Sequence, residues 1–478
     1  MKYSLLIRGG KLIDPANGRS GSFDIGIEGD RVVEVAPQLN PELAGRIYEA
    51  EGTWVVPGVI DLHVHTSKRH GGYNAHRMMA RAGVCTALDM GGPWEEFIEY
   101  ATDEGAGLNI AALQQARPGL TVKDENPGRA EIQELLERST EAGAIGLKLL
   151  GGHYPMTPEA TRTAIEVANE ARAYVAFHSG STQTGSNIEG FIESVEIARG
   201  LKLHIPHINS YCRGQIRERA LDEIVEALDL LIDNRDFVSE SYLATINGTS
   251  ARCTDGVPES KATQQCLTLA GYDATEDGLE AAIRDGWARI NAPIGGENVN
   301  ITGEEAVRSW RERDTITSVN FPVNSPVSRL LAATARDKEG NFVVDAIASD
   351  GGAHPRNVNV SCGMALVRTE VLTPEEFVLK TSLNPARMLG CPDKGHLGEG
   401  ADADVTGIDP ESGRPVFSFV GGRLVSWYGA LVGSGSTVLT TERGVAALEA
   451  AGLSTKTIDV SRAMLYTGRP EDPFSLPG

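Results

Sequence analysis

Basic residues are in short supply in this 478-residue chain: 44 Lys and Arg stand against 65 Asp and Glu, a formal net charge of −21. That balance leaves no basic stripe to neutralise phosphates, which argues against a nucleic-acid partner. Long apolar runs are missing as well. No stretch approaches the roughly 18 consecutive apolar residues of a membrane span, and the opening MKYSLLIRGGKLIDPANG meets glycines too early for a signal peptide. Cysteine is sparse: Cys85, Cys212, Cys253, Cys266, Cys362 and Cys391 are scattered and form no CxxC pair. In a chain this long, the pattern reads as a reduced, cytoplasmic protein rather than a disulfide scaffold. What remains is a small-molecule partner, in a chain compatible with homo-oligomerisation.

What is present is ordinary in bulk, with 41% hydrophobic residues, enough at this length for one large domain and a smaller one. The first 55 residues read as short strands and turns (YSLLIRGGKLID, FDIGIEGDRVVEVA, RIYEAEGTWVVPG), and GHLGEGADADVTGIDPESGRPVFSFVGGRLVSWYG repeats that style near the other end. The two segments, 1–55 and 396–430, predict one β-sandwich assembled from both ends of the chain. Between them, over 56–395, short apolar runs alternate with helical stretches. TPEATRTAIEVANEAR and TPEEFVLKTSLNPARML each begin with a Thr cap, Thr157 or Thr373, and a proline at the first helical position. Such alternation points to a parallel α/β fold. An open doubly wound sheet satisfies it too, but eight runs favour a (β/α)8 TIM barrel. About 95 residues separate the seventh and eighth runs, too many for an ordinary connection. Residues 247–342 therefore read as an inserted lid, and 431–478 as a C-terminal extension of unreadable role.

The polar residues that carry chemistry gather at the ends of these runs. VVPGVIDLHVHTS closes on His63 and His65, and residues i and i+2 of a strand share a face. Lys148 lies within GAIGLKLLGG, costly in a buried strand unless its charge is paired or removed. His178 ends the fifth run, His204 and His207 sit in the sixth, and Asp350 ends the eighth. Singly, each has an ordinary explanation: Lys148 could snorkel, His178 could be a bonded core residue, Asp350 could cap a helix. Together they form a ligand set in strand order, imidazole with carboxylate, suited to zinc and similar ions.

That ordered set resembles the amidohydrolase superfamily of metal-dependent hydrolases, over the whole chain to about residue 430. The resemblance implies that His63 and His65 hold one metal and that Lys148, carboxylated by carbon dioxide, bridges two. His178 and His207 would hold the second, while Asp350 binds the first and acts as catalytic acid/base. LHIPHINSYCRG, ESYLATINGTS and SDGGAHPR resemble segments of N-acyl-D-amino-acid deacylases (D-aminoacylase-like enzymes), which favours His207 over His204 as ligand. The same likeness assigns Tyr242 and Arg356 to grip a substrate carboxylate.

Two departures limit it. Gly91 stands where the deacylases carry a bridging cysteine, so bridging falls to Lys148, as in hydantoinases, dihydroorotases and isoaspartyl dipeptidases. Asn209 stands where they carry a carboxylate-binding lysine. His153 and Tyr154 sit where hydantoinase-like relatives place an oxyanion-stabilising tyrosine, although Tyr154 could equally be a packing residue. The expectation is a binuclear Zn2+ amidohydrolase, with Mn2+, Co2+ or Fe2+ as substitutes. It would cleave a C–N amide bond of an N-acyl amino acid or a hydantoin-like ring through a metal-bridging hydroxide. One alternative is a mononuclear-metal deaminase of an amino-substituted heterocycle. Deaminases of that kind lack the fourth-strand lysine and carry a glutamate beside the later ligands, absent from AFHSGS and HIPHIN. Another is a non-catalytic scaffold protein of hydrolase fold, but scaffolds lose ligands and this chain keeps a full set.

Overall fold

A computed structural model describes residues 1–67 and 74–477. Each of the eight apolar runs contains strand: Val59–His65 (β1), Val84–Asp89 (β2), Ala106–Ala112 (β3) continuing into Gln114–Ala116 (β4), Gly146–Leu150 (β5), Tyr174–His178 (β6), Leu203–Ile205 (β7), Phe237–Tyr242 (β8), and Ala346–Ala348 (β9) continuing into Gly351–Gly352 (β10). Two parallel sheets hold them, one containing β10-β1-β2-β3 and the other running β4-β5-β6-β7-β8-β9. Their near-continuous apolar sequences suit strands covered on both faces. Leu147, Leu149, Val175, Phe177, Ile205 and Val238 are all buried in one core with helix residues such as Ile165 and Ile224. The sheets are joined where one strand line breaks, at Leu113 and at Ser349–Asp350.

Local signals hold where capping chemistry dictates them. Helix Pro158–Glu170 starts at Thr157, whose hydroxyl accepts from Ala160 N–H at 3.2 Å. Thr373 and Glu376 form a reciprocal capping box over Pro374–Val378, though this helix passes through a π-helical segment, Leu379–Leu383, before resuming. The sixth run departs from expectation. Its strand ends at Ile205, because Pro206 offers no N–H to the ladder, and His207 turns into a left-handed backbone with φ 41°.

Both chain ends build one seven-stranded sheet, in which Trp54–Pro57 pairs antiparallel with Val405–Asp409. A four-stranded sheet from residues 5–49 shares its core: Leu5, Ile7, Ile25 and Ile27 meet Val55, Val405, Phe417 and Phe419. Residues 247–321 fold around a separate core that includes Leu267, Leu279, Ile290, Trp310 and Phe321. The C-terminal stretch is not a loose tail: Gly435–Thr440 pairs parallel with the start of β3, and Ser454–Thr457 pairs beside it. Among the described residues, no helix is long and apolar enough to cross a membrane.

Candidate active site

The end of β1 is held from both sides. Asp61 Oδ1 accepts the N–H of Ser349 at 3.0 Å, tying β1 to the break before β10. Asp89, ending β2, accepts Thr66 N–H at 2.7 Å and Gly91 N–H at 2.7 Å. A side chain at position 91 has no room, since a Cβ there would lie 2.8 Å from His65 Cα and 2.9 Å from its Nδ1. The glycine where the deacylases carry cysteine is thus a packing requirement of His65.

These restraints aim two histidines at one carboxylate. His65 Nε2 lies 2.8 Å from Asp350 Oδ1, and His63 Nε2 lies 3.5 Å from the same oxygen. One ligand-type atom from each of His63, His65 and Asp350 falls within 4.8 Å of the others. His207 stacks on His63 with ring centroids 5.0 Å apart, and His178 meets His207 at 4.4 Å. Lys148 lines the same cavity, as do His153, Tyr154 and His354. His204 faces elsewhere, its Nδ1 3.0 Å from the Tyr174 hydroxyl.

The electrostatics favour neutral nitrogen and ionised oxygen. Burial holds His63, His178 and His207 well below 6.5, leaving each imidazole a lone pair. Burial also works against the Asp350 carboxylate, but the Arg356 guanidinium, then His63 and His65, outweigh it and hold the group well below the usual range. Burial pushes the Lys148 ammonium down to about 8, against the opposing charges of Glu240 and Asp350. Its Nζ donates to the Met90 sulfur at 3.2 Å. Donors of this kind fit a divalent metal, since imidazole and carboxylate suit zinc and related ions. Backbone strain marks the place too: His207 (φ 41°) and Asp350 (φ 52°) are left-handed without being glycine, a cost of roughly 1–2 kcal/mol each.

The expected substrate contacts divide. Tyr154 lines the cavity, with the Arg117 guanidinium 3.6 Å over its ring. Asn209, Tyr242 and Arg356 are buried and adjoin one another, with the Arg356 guanidinium 5.1 Å over the Tyr242 ring. Asn209 Oδ1 accepts Tyr242 N–H at 3.0 Å, and the Tyr242 hydroxyl donates to Asn324 Oδ1 at 3.1 Å. Arg356 folds back on the turn that carries it, its Nη2 2.7 Å from Asp350 Oδ2. Among the described residues, the ion-pair partner of Arg356 is Asp350, the acid/base candidate.

Several wall residues had no sequence signal. Asn247, Thr249, Arg252 and Glu259 come from the insert, far from the motifs in the chain. His354 lies inside SDGGAHPR and could have been singled out. Glu240 was also missed, although a carboxylate in the apolar run FVSESYLATI is a visible anomaly: its Oε1 lies 2.8 Å from His63 Nδ1, and both side chains are buried.

Comparisons with known proteins converge on one family. A family model described as "Amidohydrolase family" matches residues 311–432. The chain is 26% identical over 443 residues to a dihydroorotase of Pelotomaculum thermopropionicum, spanning 86% of this chain and 90% of that protein. Its fold is similar to that of the N-acyl-D-glutamate deacylase of Bordetella bronchiseptica, solved with zinc and a phosphonate inhibitor, with TM-score 0.66 and 18% identity over 92% of this chain and 99% of that one. It is likewise similar to the dihydropyrimidinase of Brevibacillus agri, with TM-score 0.60 and 15% identity over 91% and 97% of the two chains. A family model over residues 311–432, relatives aligned over most of their length and the fold all point the same way: the chain is similar to hydrolases of the amidohydrolase family.

Proposed function

We propose that the chain is a binuclear metal-dependent amidohydrolase cleaving a C–N bond other than a peptide bond in a small N-acyl amino acid or cyclic amide. The two parallel sheets are taken as halves of one closed (β/α)8 barrel spanning 56–395, with the sheets of the chain ends as a β-sandwich and 247–342 as the inserted wall of the site. One observation carries the functional reading. His63, His65 and Asp350 converge on one point while His178 and His207 adjoin it, with Lys148 in the same cavity. His63, His65 and Asp350 would hold one divalent ion, His178 and His207 a second, and Lys148 would bridge them as a carbamate. A bound metal pair supplies a water acidified toward neutrality and polarises the scissile carbonyl.

The remaining work falls to the chain. Neutral Lys148 can add to carbon dioxide: the nitrogen–carbon bond forms, the amine proton leaves, and an anionic carbamate replaces a costly buried amine. Asp350, aimed by Arg356 and ionised, accepts a proton from the attacking water and returns it to the leaving nitrogen. Tyr154, with Arg117 over its ring, would face the developing oxyanion. The relatives act on both ring and open-chain amides by name, dihydroorotase and dihydropyrimidinase on one side and a deacylase on the other, which supports this substrate range. The test is elemental analysis of the zinc-reconstituted enzyme, followed by a screen of N-acyl amino acids, dipeptides, hydantoins and cyclic imides. Two ions per chain and turnover of an amide are expected. One ion at full activity, with release of ammonia from an amino-substituted heterocycle, would replace this reading with the deaminase.

A further inference from the structure

Glu240 sits on β8 with its side chain fully buried, 177 residues along the chain from His63. Burying a carboxylate costs several kcal/mol unless a cation or several donors compensate it. Among the described residues, neither lysine nor arginine forms an ion pair with Glu240; its one ion-pair partner is His63. A neutral imidazole, even with the His207 backbone N–H and the Lys148 charge nearby, is weak compensation for a buried anion. It becomes adequate when the far nitrogen of that imidazole touches a divalent cation, because the ring then carries positive charge toward the carboxylate.

The atoms are arranged for that relay. His63 turns Nδ1 to Glu240 at 2.8 Å and Nε2 toward Asp350 Oδ1 at 3.5 Å, the oxygen that His65 Nε2 approaches at 2.8 Å. An ionised Glu240 can only accept, so His63 then donates its Nδ1 proton to it and presents the lone pair of Nε2 to the point where His65 and Asp350 converge. A ligating histidine commonly gives its other N–H to a carboxylate in this way, which fixes the tautomer and raises the basicity of the ligating nitrogen.

We propose that Glu240 is a positioning residue of the metal centre, acting through His63 to fix the ring's orientation and strengthen its hold on the first ion. This rests on the metal-centre reading above, and the experiment separates the two. Zn2+ affinity of the full-length protein is measured by chelator competition for wild type, Glu240→Gln, His63→Asn and the double variant, with thermal unfolding of each metal-free protein alongside. Glu240→Gln keeps an acceptor for Nδ1–H but removes the charge. It is expected to weaken the tighter Zn2+ site about 10–100-fold, leave metal-free unfolding at or above the wild-type temperature, and add nothing once His63 is replaced.

Wild-type Zn2+ affinity in Glu240→Gln overturns the proposal. So does a loss that persists undiminished in the His63→Asn background, since Glu240 would then act by another route. A Glu240→Gln protein that fails to fold, or melts markedly lower without metal, makes the residue structural and also overturns it. If wild type itself binds no Zn2+, the metal-centre reading fails instead, a result visible before any variant is compared.

Discussion

Two lysines are equally buried in this molecule and live in opposite surroundings. Lys394, 2% exposed, lies where the chain-end sheets meet the parallel strands, with Nζ 2.5 Å from Asp404 and 2.8 Å from Asp402. Around it the charges are saturated: Lys456 and Arg31 also pair with Asp402, and Asp404 accepts from Asn109 at 2.9 Å. Burial works against the Lys394 charge, but Asp404 and Asp402 outweigh it and raise its pKa. Lys148, 1% exposed, has a thioether sulfur as its one hydrogen-bond partner among the described residues, and burial pushes it down to about 8. A buried lysine among carboxylates is a strut. A buried lysine among imidazoles has no such counter-charge in contact, a cost that the proposed carboxylation would remove. Burial alone separates neither; the partners do.

The largest effect that would test this contrast is at Lys148. Lys148→Ala should abolish turnover and release much of the bound metal while leaving the metal-free protein folded. Acetate or propionate, filling the gap with a carboxylate, should partly restore both metal content and activity. Unmodified ammonium at Lys148 in active, metal-loaded crystals would refute the carbamate.

Next comes Asp350→Asn, which keeps the shape and loses the proton acceptor. Turnover should fall about 10²–10⁴-fold, with metal largely retained by elemental analysis. Near-normal turnover with both ions bound would remove Asp350 from the mechanism. Arg356→Gln should then show its effect in the pH profile. Without the guanidinium, the Asp350 carboxyl no longer stays so far below its usual range, so the acid limb of kcat/KM should move to higher pH. A rise in KM for anionic substrates alone, with that limb unmoved, would instead restore Arg356 as a carboxylate contact.

Lys394→Met should cost about 3–5 kcal/mol in urea unfolding, because it leaves buried Asp404 without its cation and takes one of three from Asp402. Activity per folded molecule should not change, in contrast to Lys148→Ala. The smallest effect lies in the pH dependence of metal-free stability, where the two lysines have opposite signs. Lys148 is depressed in the folded state, so between about pH 8 and 10.5 the unfolded chain holds the extra proton. Stability should rise with pH across that window, and Lys148→Met should flatten the rise. Lys394 is raised, so its contribution is complete below 10.5 and is lost only as pH climbs beyond it. Denaturation midpoints at pH 8, 9 and 10 that do not distinguish the two variants would break the comparison.

Much of this site was legible because its parts are local. His63 and His65 share a face by strand alternation, and Lys148 is conspicuous in an otherwise apolar strand. The Thr157 and Thr373 caps report helix starts through side-chain to backbone bonds that span three residues. Other parts were not legible. Pro206 ended the sixth strand early and put His207 on a strained turn, so its closeness to His63 and His178 follows from the path of the backbone rather than from strand periodicity. Arg356 follows a motif, but nothing local foretells that the turn bearing it brings the guanidinium to Asp350.

The sequence by itself determined the strand–helix rhythm and the types and order of the candidate ligands along the chain, since alternation, capping and the cost of burying charge act between near neighbours. Only the tertiary structure decided that Glu240 meets His63, that Arg252 and Glu259 of the insert wall the cavity, and that Gly435–Thr440 pairs beside β3. Such contacts join residues far apart in the chain. Their energy comes from packing, burial and charge pairing that exist only once the whole chain has folded.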